Sequence, residues 1–321
     1  MTVSHRLTGR PPIGGRLAGL LPYAAVAAAA CAWGTWGLVI RKTEALGAMS
    51  TALESTIVMA VITVTTGVAV LRDRAPGPAP WRARAWVAWL GVSDAMNVLL
   101  FFAAYKLTIA VSVLTHYLTP IFVALAAPIL LRERMTARTA AAVMTSFAGL
   151  TAMLAPQGGQ SPHAAVWLSA ALGAGSAVFY ASNVIVNKLV ASSFSTRETM
   201  FWHGVVATPL LAAFVPRGAW GAIDLHAAVY LAVATVGPGA LAGLAFVWGL
   251  RRMPAAHAST LTLLEPLVSI VLGAAVLGEP LSSRAGLGGG LILAGSLVVM
   301  TAPRPPGSAQ DVRRPRPAGR A

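Results

Sequence analysis

Residues 264–299 read LEPLVSIVLGAAVLGEPLSSRAGLGGGLILAGSLVV. Two apolar runs flank one polar turn, Gly278-Glu279-Pro280-Leu281-Ser282-Ser283-Arg284. Counted back to Ala256 and on to Ala302, each run is about as long as a helix needs to be to cross roughly 30 Å of hydrocarbon. An open strand cannot satisfy its backbone in lipid, and neither run alternates polar and apolar residues as a barrel strand does. Both are therefore predicted to be membrane-spanning helices. The first carries Glu265-Pro266, an acid and a helix breaker, at mid-span.

The same pattern extends over the chain. Of 321 residues 56% are apolar and 11% charged, whereas soluble domains carry roughly a quarter charged residues. Spans are predicted at 18–40, 50–71, 85–105, 109–131, 138–155, 164–187, 199–215, 226–250, 256–278 and 284–302. The expectation is an all-α integral membrane protein of ten transmembrane helices, with no room for a separate soluble domain. The single Cys31 lies in the first span, so no disulfide framework exists. That span follows Arg6, Arg10 and Arg16 and superficially reads as a signal peptide, with Ala28 and Ala30 at a cleavage-like site. Its apolar run is long for a signal sequence, and the repeat described next requires it as a helix.

Sliding the chain against itself at an offset of 146 aligns Trp33 with Phe179, Lys42 with Lys188, Gly91 with Gly237 and Lys106 with Arg252. Pro120 then matches Pro266, Glu133 matches Glu279, and Gly149 matches Gly295. This divides the chain into a tail (1–17), a five-helix unit (18–155), a linker (156–163), a second five-helix unit (164–302) and a basic tail (303–321). Homologous units with an odd number of spans must face opposite ways, and inverted repeats of this kind point to transport. The 24 basic residues agree. Nineteen fall on one side: Arg6, Arg10, Arg16, Arg72, Arg74, Arg82, Arg84, Arg132, Arg134, Arg138, Lys188, Arg197, Arg251, Arg252, Arg304, Arg313, Arg314, Arg316 and Arg320. Five fall on the other: Arg41, Lys42, Lys106, Arg217 and Arg284. Both termini are predicted to be cytoplasmic, with the linker periplasmic. This distribution between spans also explains the +14 net charge without a nucleic-acid partner. The Pro- and Arg-rich C-tail reads as disordered and suited to anionic headgroups. Arg outnumbering Lys by 21 to 3, with abundant Ala, is a compositional hint of a GC-rich bacterial genome, and a bacterial cytoplasmic membrane is the expected location.

Here the sequence resembles the EamA-type half of the drug/metabolite transporter superfamily. Glu265-Pro266, Gly278-Glu279-Pro280 and the glycines from Gly286 to Gly295 match that pattern. The first unit departs from it, with Thr119-Pro120 for Glu-Pro and Arg132-Glu133-Arg134 for Gly-Glu-Pro. The resemblance implies export of amino acids, nucleobases, cationic drugs or other small metabolites, without selecting among them.

Polar residues inside the spans supply the candidate site. Thr51-x-x-Glu54 and Ser195-x-x-Glu198 spell capping boxes, so those acids are read as caps. Lys42, Lys106, Lys188 and Arg252 sit where a cation complements a helix C-terminus. Asp94 lies mid-span, where a charge costs a few kcal/mol unless it faces a cavity or a partner, and shares a face with Asn97 and Phe101. Glu265 shares a face with Thr262 and Ser269, beside a carbonyl freed by Pro266. It is read either as a substrate or proton contact or as part of a kink network. Across the repeat, His116, Tyr117, Thr119 and Pro120 form the opposing wall, with His116 open to proton relay, ligand stacking or plain core bonding. Tyr180, Asn183 and Asn187 form a polar stripe. Trp33 and Trp36 are either stacking platforms or interface anchors. His203, Trp202 and Trp248 are weaker candidates, and His257 reads as a loop-end residue. Gly286-x-x-x-Gly290 is read as packing within the monomer, with a dimer face as the alternative.

No Walker GxxxxGK[ST], metal-spaced cluster or nucleophile elbow occurs, so neither ATP drive nor hydrolysis has residues to perform it, and no cofactor or metal is expected. A lipid-active membrane enzyme would need a clustered acidic site, and a scaffold would not need mid-membrane acids. The reading is a secondary transporter exporting amino acids or similar small metabolites by alternating access, as monomer or homodimer, with the proton as candidate coupling ion. A multidrug or cationic-compound exporter is the alternative.

Overall fold

The structure is a computed structural model that describes residues 13–46, 49–71, 79–154, 163–221, 223–278 and 280–301. The first twelve residues, the linker over 155–162, Glu279 and the C-tail from 302 lie outside the described residues. In chain order the helices are α1 (Ile13–Trp33), α2 (Trp36–Leu46), α3 (Thr51–Val70), α4 (Trp81–Leu107), α5 (Ile109–His116), α6 (Thr119–Leu130), α7 (Ala137–Leu154) and α8 (His163–Leu189). They continue as α9 (Thr196–Ala213), α10 (Arg217–Gly221), α11 (Leu225–Thr235), α12 (Ala242–Leu250), α13 (Ala255–Leu261), α14 (Leu264–Leu277) and α15 (Ser283–Thr301). Each stretch read as an apolar span is predominantly helical over its described residues. Among the described residues eight helices or helix pairs are long and apolar enough to cross a membrane. The two further stretches, α7 and α9, are 18 residues each.

Several spans are not single rods. The first breaks at Gly34–Thr35 between α1 and α2. Ser269 Oγ donates to the Gly34 carbonyl at 2.9 Å, and a Cβ on Gly34 would lie 2.6 Å from Val268 Cβ, so only glycine lets α14 approach there. The fourth breaks between α5 and α6 at Tyr117–Leu118, and its repeat mate breaks between α13 and α14 at Thr262–Leu263. Pro120 has no N–H for the His116 carbonyl, and the Thr119 hydroxyl donates to it instead at 2.7 Å. Pro266 likewise has none for the Thr262 carbonyl, which accepts from the Glu265 N–H at 3.0 Å. The carbonyl expected to lie free for a substrate is thus re-bonded locally. Between α11 and α12 the chain runs through a π-helical turn, Val236–Leu241, around Pro238.

The repeat is visible in the packing of α7 on α15. A Cβ on Gly149 would meet the Gly288 carbonyl at 2.6 Å, and one on its mate Gly295 would meet the Ala142 carbonyl at 2.8 Å. Ala142 is the mate of Gly288, so the contact maps onto itself when the halves are exchanged. Gly149 lies opposite Gly288 and Gly295 opposite Ala142, so these equivalent helices run antiparallel. Gly286 and Gly290 face open space instead, which corrects the expectation that they pack within the monomer. The contact glycines are one face round the helix, at Gly288 and Gly295.

One cap also differs from expectation. Ser50, not Thr51, caps α3 by accepting from the Leu53 N–H, which places Glu54 one residue past the capping-box position. The box at Ser195 and Glu198 forms with both bonds present.

Candidate functional site

The candidate polar residues converge where α4 packs antiparallel on α8, flanked by α9 on one side and by the two broken spans on the other. Three linked groups fill this region. In the first, Asp94 Oδ1 accepts from Asn183 Nδ2 at 3.0 Å, and Asp94 Oδ2 lies 3.4 Å from His203 Nε2. In the second, the Ser176 hydroxyl donates to Asn97, with Oδ1 at 2.8 Å and the backbone carbonyl at 3.0 Å. Its hydrogen is thereby used, so His116 Nδ1, 2.8 Å away, donates to Ser176 Oγ. The His116 ring stacks on Tyr180, with centroids 5.4 Å apart and planes at 11°, and also touches Phe101 and Tyr117. In the third, Tyr117 faces Glu265, and Tyr180 stands within electrostatic reach of both Glu265 and Asp94. Glu265 lies in the first turn of α14, where the positive end of the helix dipole favours a carboxylate.

Asp94, Asn97, His116, Tyr117, Tyr180, Asn183 and Glu265 are thus neighbours. The others serve the frame around them. Thr119 and Thr262 are fully buried and donate their hydroxyls to the backbone, Thr119 to the His116 carbonyl and Thr262 to that of Ser259 at 2.8 Å, and Thr262 also meets the Tyr180 hydroxyl, which joins it to the group around Glu265. Pro120 and Pro266 shape the two breaks. Trp33 packs on Phe246 with centroids 5.0 Å apart, and Trp36 begins α2. Asn187 turns back to the Asn183 carbonyl. Arg252 behaves as a helix-terminal cation, donating to the Trp248 carbonyl at 2.7 Å above the Trp248 ring.

Two acceptors in this region have no hydrogen-bond partner: Oδ1 of Asn183 and Oδ1 of Asn187, on side chains more than nine-tenths buried. A buried amide oxygen without a donor is costly, and in a native protein an ordered water or a ligand supplies the hydrogen. A separate cleft of about 440 Å³, between α1 and the π-helical turn, is lined by residues such as Ala29, Thr35, Pro238 and Leu241 and contains none of these polar groups.

Two features escaped the sequence. His257, expected at a loop end, is buried, with Nδ1 2.9 Å from the Tyr23 hydroxyl and Nε2 3.1 Å from Thr139 Oγ1. His203, a weak candidate from sequence, touches Asp94 directly. Outside the spans, Arg251 fastens the start of α9, donating to the Phe194 carbonyl at 2.8 Å and to Thr199 Oγ1 at 2.6 Å. Burial, with the Arg252 charge beside it, lowers Arg251 to about 10, which leaves it cationic at neutral pH.

The pattern of the EamA-like transporter family matches residues 20–155 and, a second time, 167–301. An uncharacterized transporter of Archaeoglobus fulgidus is 28% identical over 211 residues, covering 65% of this chain and 74% of that protein. The uncharacterized transporter YwfM of Bacillus subtilis is 32% identical over 144 residues, 42% of this chain and 45% of its own length. A solved structure titled "Crystal structure of protein" superposes with a TM-score of 0.67 at 22% identity, covering 88% of this chain and 96% of that one. That likeness concerns the fold.

Proposed function

This chain belongs to the EamA-like transporter family, and on that premise we propose that it is a secondary transporter that exports amino acids or similar small metabolites by alternating access. The observation that carries the substrate class is the grouping of Asp94 and Glu265 with the orphan amide oxygen of Asn183 and the aromatic wall of Tyr117, His116 and Tyr180. Carboxylates and amide oxygens receive an ammonium group, and aromatic faces receive an apolar body. An amino acid or a compact amine offers both. On this reading the molecule is a carrier and not an enzyme.

Ten spans in two inverted units, with both termini in the cytoplasm of a bacterial inner membrane, complete the proposal. The antiparallel packing of the mates α7 and α15, Gly149 on Gly288 and Gly295 on Ala142, supports the inversion, and the basic residues support the orientation. Counterflow in proteoliposomes, with amino acids, nucleobases and aromatic organic cations as the panel, tests the reading. Saturable exchange of amino acids is the expected result. Preference for aromatic cations would replace it with a multidrug exporter, and no movement of any class would defeat it.

A further inference from the structure

We propose that Asp94 and His203 form one proton-carrying site, which binds a proton as a pair and exchanges it for the substrate's ammonium group. The inference rests on the transport reading for its purpose, while its chemistry rests on the pair alone.

The hydrogen bonds fix where the protons are. His203 Nδ1 lies 3.0 Å from the Thr199 carbonyl oxygen, which only accepts, so Nδ1 carries a hydrogen. On the opposite edge, Nε2 lies 3.4 Å from Asp94 Oδ2. Were the ring neutral and the carboxyl ionised, a nitrogen lone pair would face a carboxylate oxygen, which is repulsive. At this ion-pair distance, longer than a hydrogen bond, one further proton on Nε2 or on Oδ2 would turn the repulsion into attraction, and the pair is uncharged either way. Asn183 supports both forms, because its N–H donates to the other oxygen, Oδ1, at 3.0 Å.

The titratable groups around the pair come from α9, α12, α8 and α3. On α9, Glu198 is engaged by the Ser195 N–H at 2.8 Å in its capping box, and Arg197 precedes it. Arg251, at the end of α12, bonds Thr199 Oγ1 and stays cationic at neutral pH. From α8 the titratable group toward Asp94 is Tyr180, with Glu265 behind it. On α3, Thr63 sits against Gly204, so Glu54 is about 13 Å away along that helix.

The Asp94 side chain is 25% exposed and that of His203 only 8%, so Asp94 is the more accessible member of the pair. Loss of the proton to water leaves the pair with one negative charge and a lone pair facing an oxyanion. Asp94 is then free to take the ammonium group that replaces the proton, which is antiport. The scaffold does not require the pair, since the repeat mates of Asp94 and His203 are Ala240 and Ile57.

The full-length protein, labelled with ring-¹⁵N histidine and reconstituted in nanodiscs, tests this by NMR titration, with the His203 signals assigned by their loss in His203→Gln. The expected result is Nδ1 protonated throughout and Nε2 proton-bearing or proton-sharing at neutral pH. In Asp94→Asn, whose amide donates its own hydrogen, Nε2 loses its proton. An unprotonated, unshared Nε2 in the wild type at neutral pH overturns the proposal, whatever the vesicles show. In the same lipids Asp94→Asn should lose pH-gradient-driven accumulation and exchange substrate only at raised substrate concentration, with Glu54→Gln as the matched control. Wild-type accumulation by Asp94→Asn overturns the proposal. Absence of any flux in the wild type defeats the transport reading instead and leaves the ring titration to decide the pair.

Discussion

Lys188 Nζ, in the last turn of α8, is ion-paired with Glu133, just beyond α6, and donates to the Met253 carbonyl at 2.6 Å. The second oxygen of Glu133 accepts from the Ala255 N–H, at the start of α13, at 2.7 Å. One carboxylate from the first matched half therefore holds two points of the second, Lys188 and Ala255, and Lys188 adds Met253, all at the end of the bundle where α13 begins. Nearby, Tyr23, His257 and Thr139 tie α1, α13 and α7 in the same way.

This clamp predicts a specific asymmetry between single and double variants. Glu133→Gln strands the Lys188 ammonium in a largely buried place and should lower stability by about 1–2 kcal/mol, discounted for the partial exposure of both groups. Pairing Glu133→Leu with Lys188→Met should recover most of that loss. If the clamp also closes one face of the transporter, the double variant will be stable yet slow in exchange. Thermal unfolding and counterflow on the same preparations separate the two effects, and a double variant as unstable as the single would refute the assignment.

The α7–α15 contact gives a sharper packing test. A Cβ on Gly288 would lie 2.4 Å from the Gly149 carbonyl oxygen, and backbone on both sides leaves nothing to yield. Gly288→Val should therefore cost at least about 1–3 kcal/mol. Gly286→Ala and Gly290→Ala, two residues to either side, meet open space and should be neutral or stabilising by several tenths, since Ala is the better helix former. Melting curves of the three variants decide it, and equal loss in all three would mean that the helix is turned differently.

Much of this architecture was legible in the sequence because hydrophobic length and the offset of 146 are local or periodic signals. The two broken spans announced themselves through Pro120 and Pro266. Side-chain partnerships were less legible. Asp94 and His203 are far apart in the chain, and neither has a repeat mate of its own kind, so nothing in the periodicity pairs them. Glu133 and Lys188 were each explained locally, as repeat marker and helix-terminal cation, which hid their contact. Gly286-x-x-x-Gly290 misled for a related reason. Spacing of four shows that two glycines share a face but not which face, and the denser packing chose Gly288 and Gly295.

Orientation has its own measurement. In a Cys31→Ala background, Gly218→Cys in α10 should react with an impermeant maleimide added outside intact cells. Met135→Cys, between α6 and α7, should react only after permeabilisation. Both positions are exposed, so reactivity reports sidedness and not burial. The opposite pattern would invert the proposed topology.

Glu265→Gln separates substrate recognition from proton coupling. Glutamine keeps the size of the side chain and a carbonyl oxygen to face Tyr117, so the α13–α14 break and its Thr262–Glu265 backbone bond should survive and the melting temperature should stay near wild type. What is lost is the carboxyl's capacity to carry a negative charge facing the site. If Glu265 receives the substrate's ammonium, the variant forfeits a charge-assisted bond worth about 1.5–3 kcal/mol, or an affinity decrease of about ten- to a hundredfold. With the proton carried by Asp94 and His203, the flux that remains at saturating substrate should still respond to an imposed pH gradient. Concentration dependence of exchange and of gradient-driven uptake, measured on the same vesicles, distinguishes three cases. Weaker apparent affinity with the gradient response intact is the expected one. Unchanged affinity with the gradient response abolished would move the proton to Glu265 and overturn the pair as its carrier. Loss of both with a collapsed melting temperature would make Glu265 part of the frame, bound to the kink at Pro266 and not to the cargo.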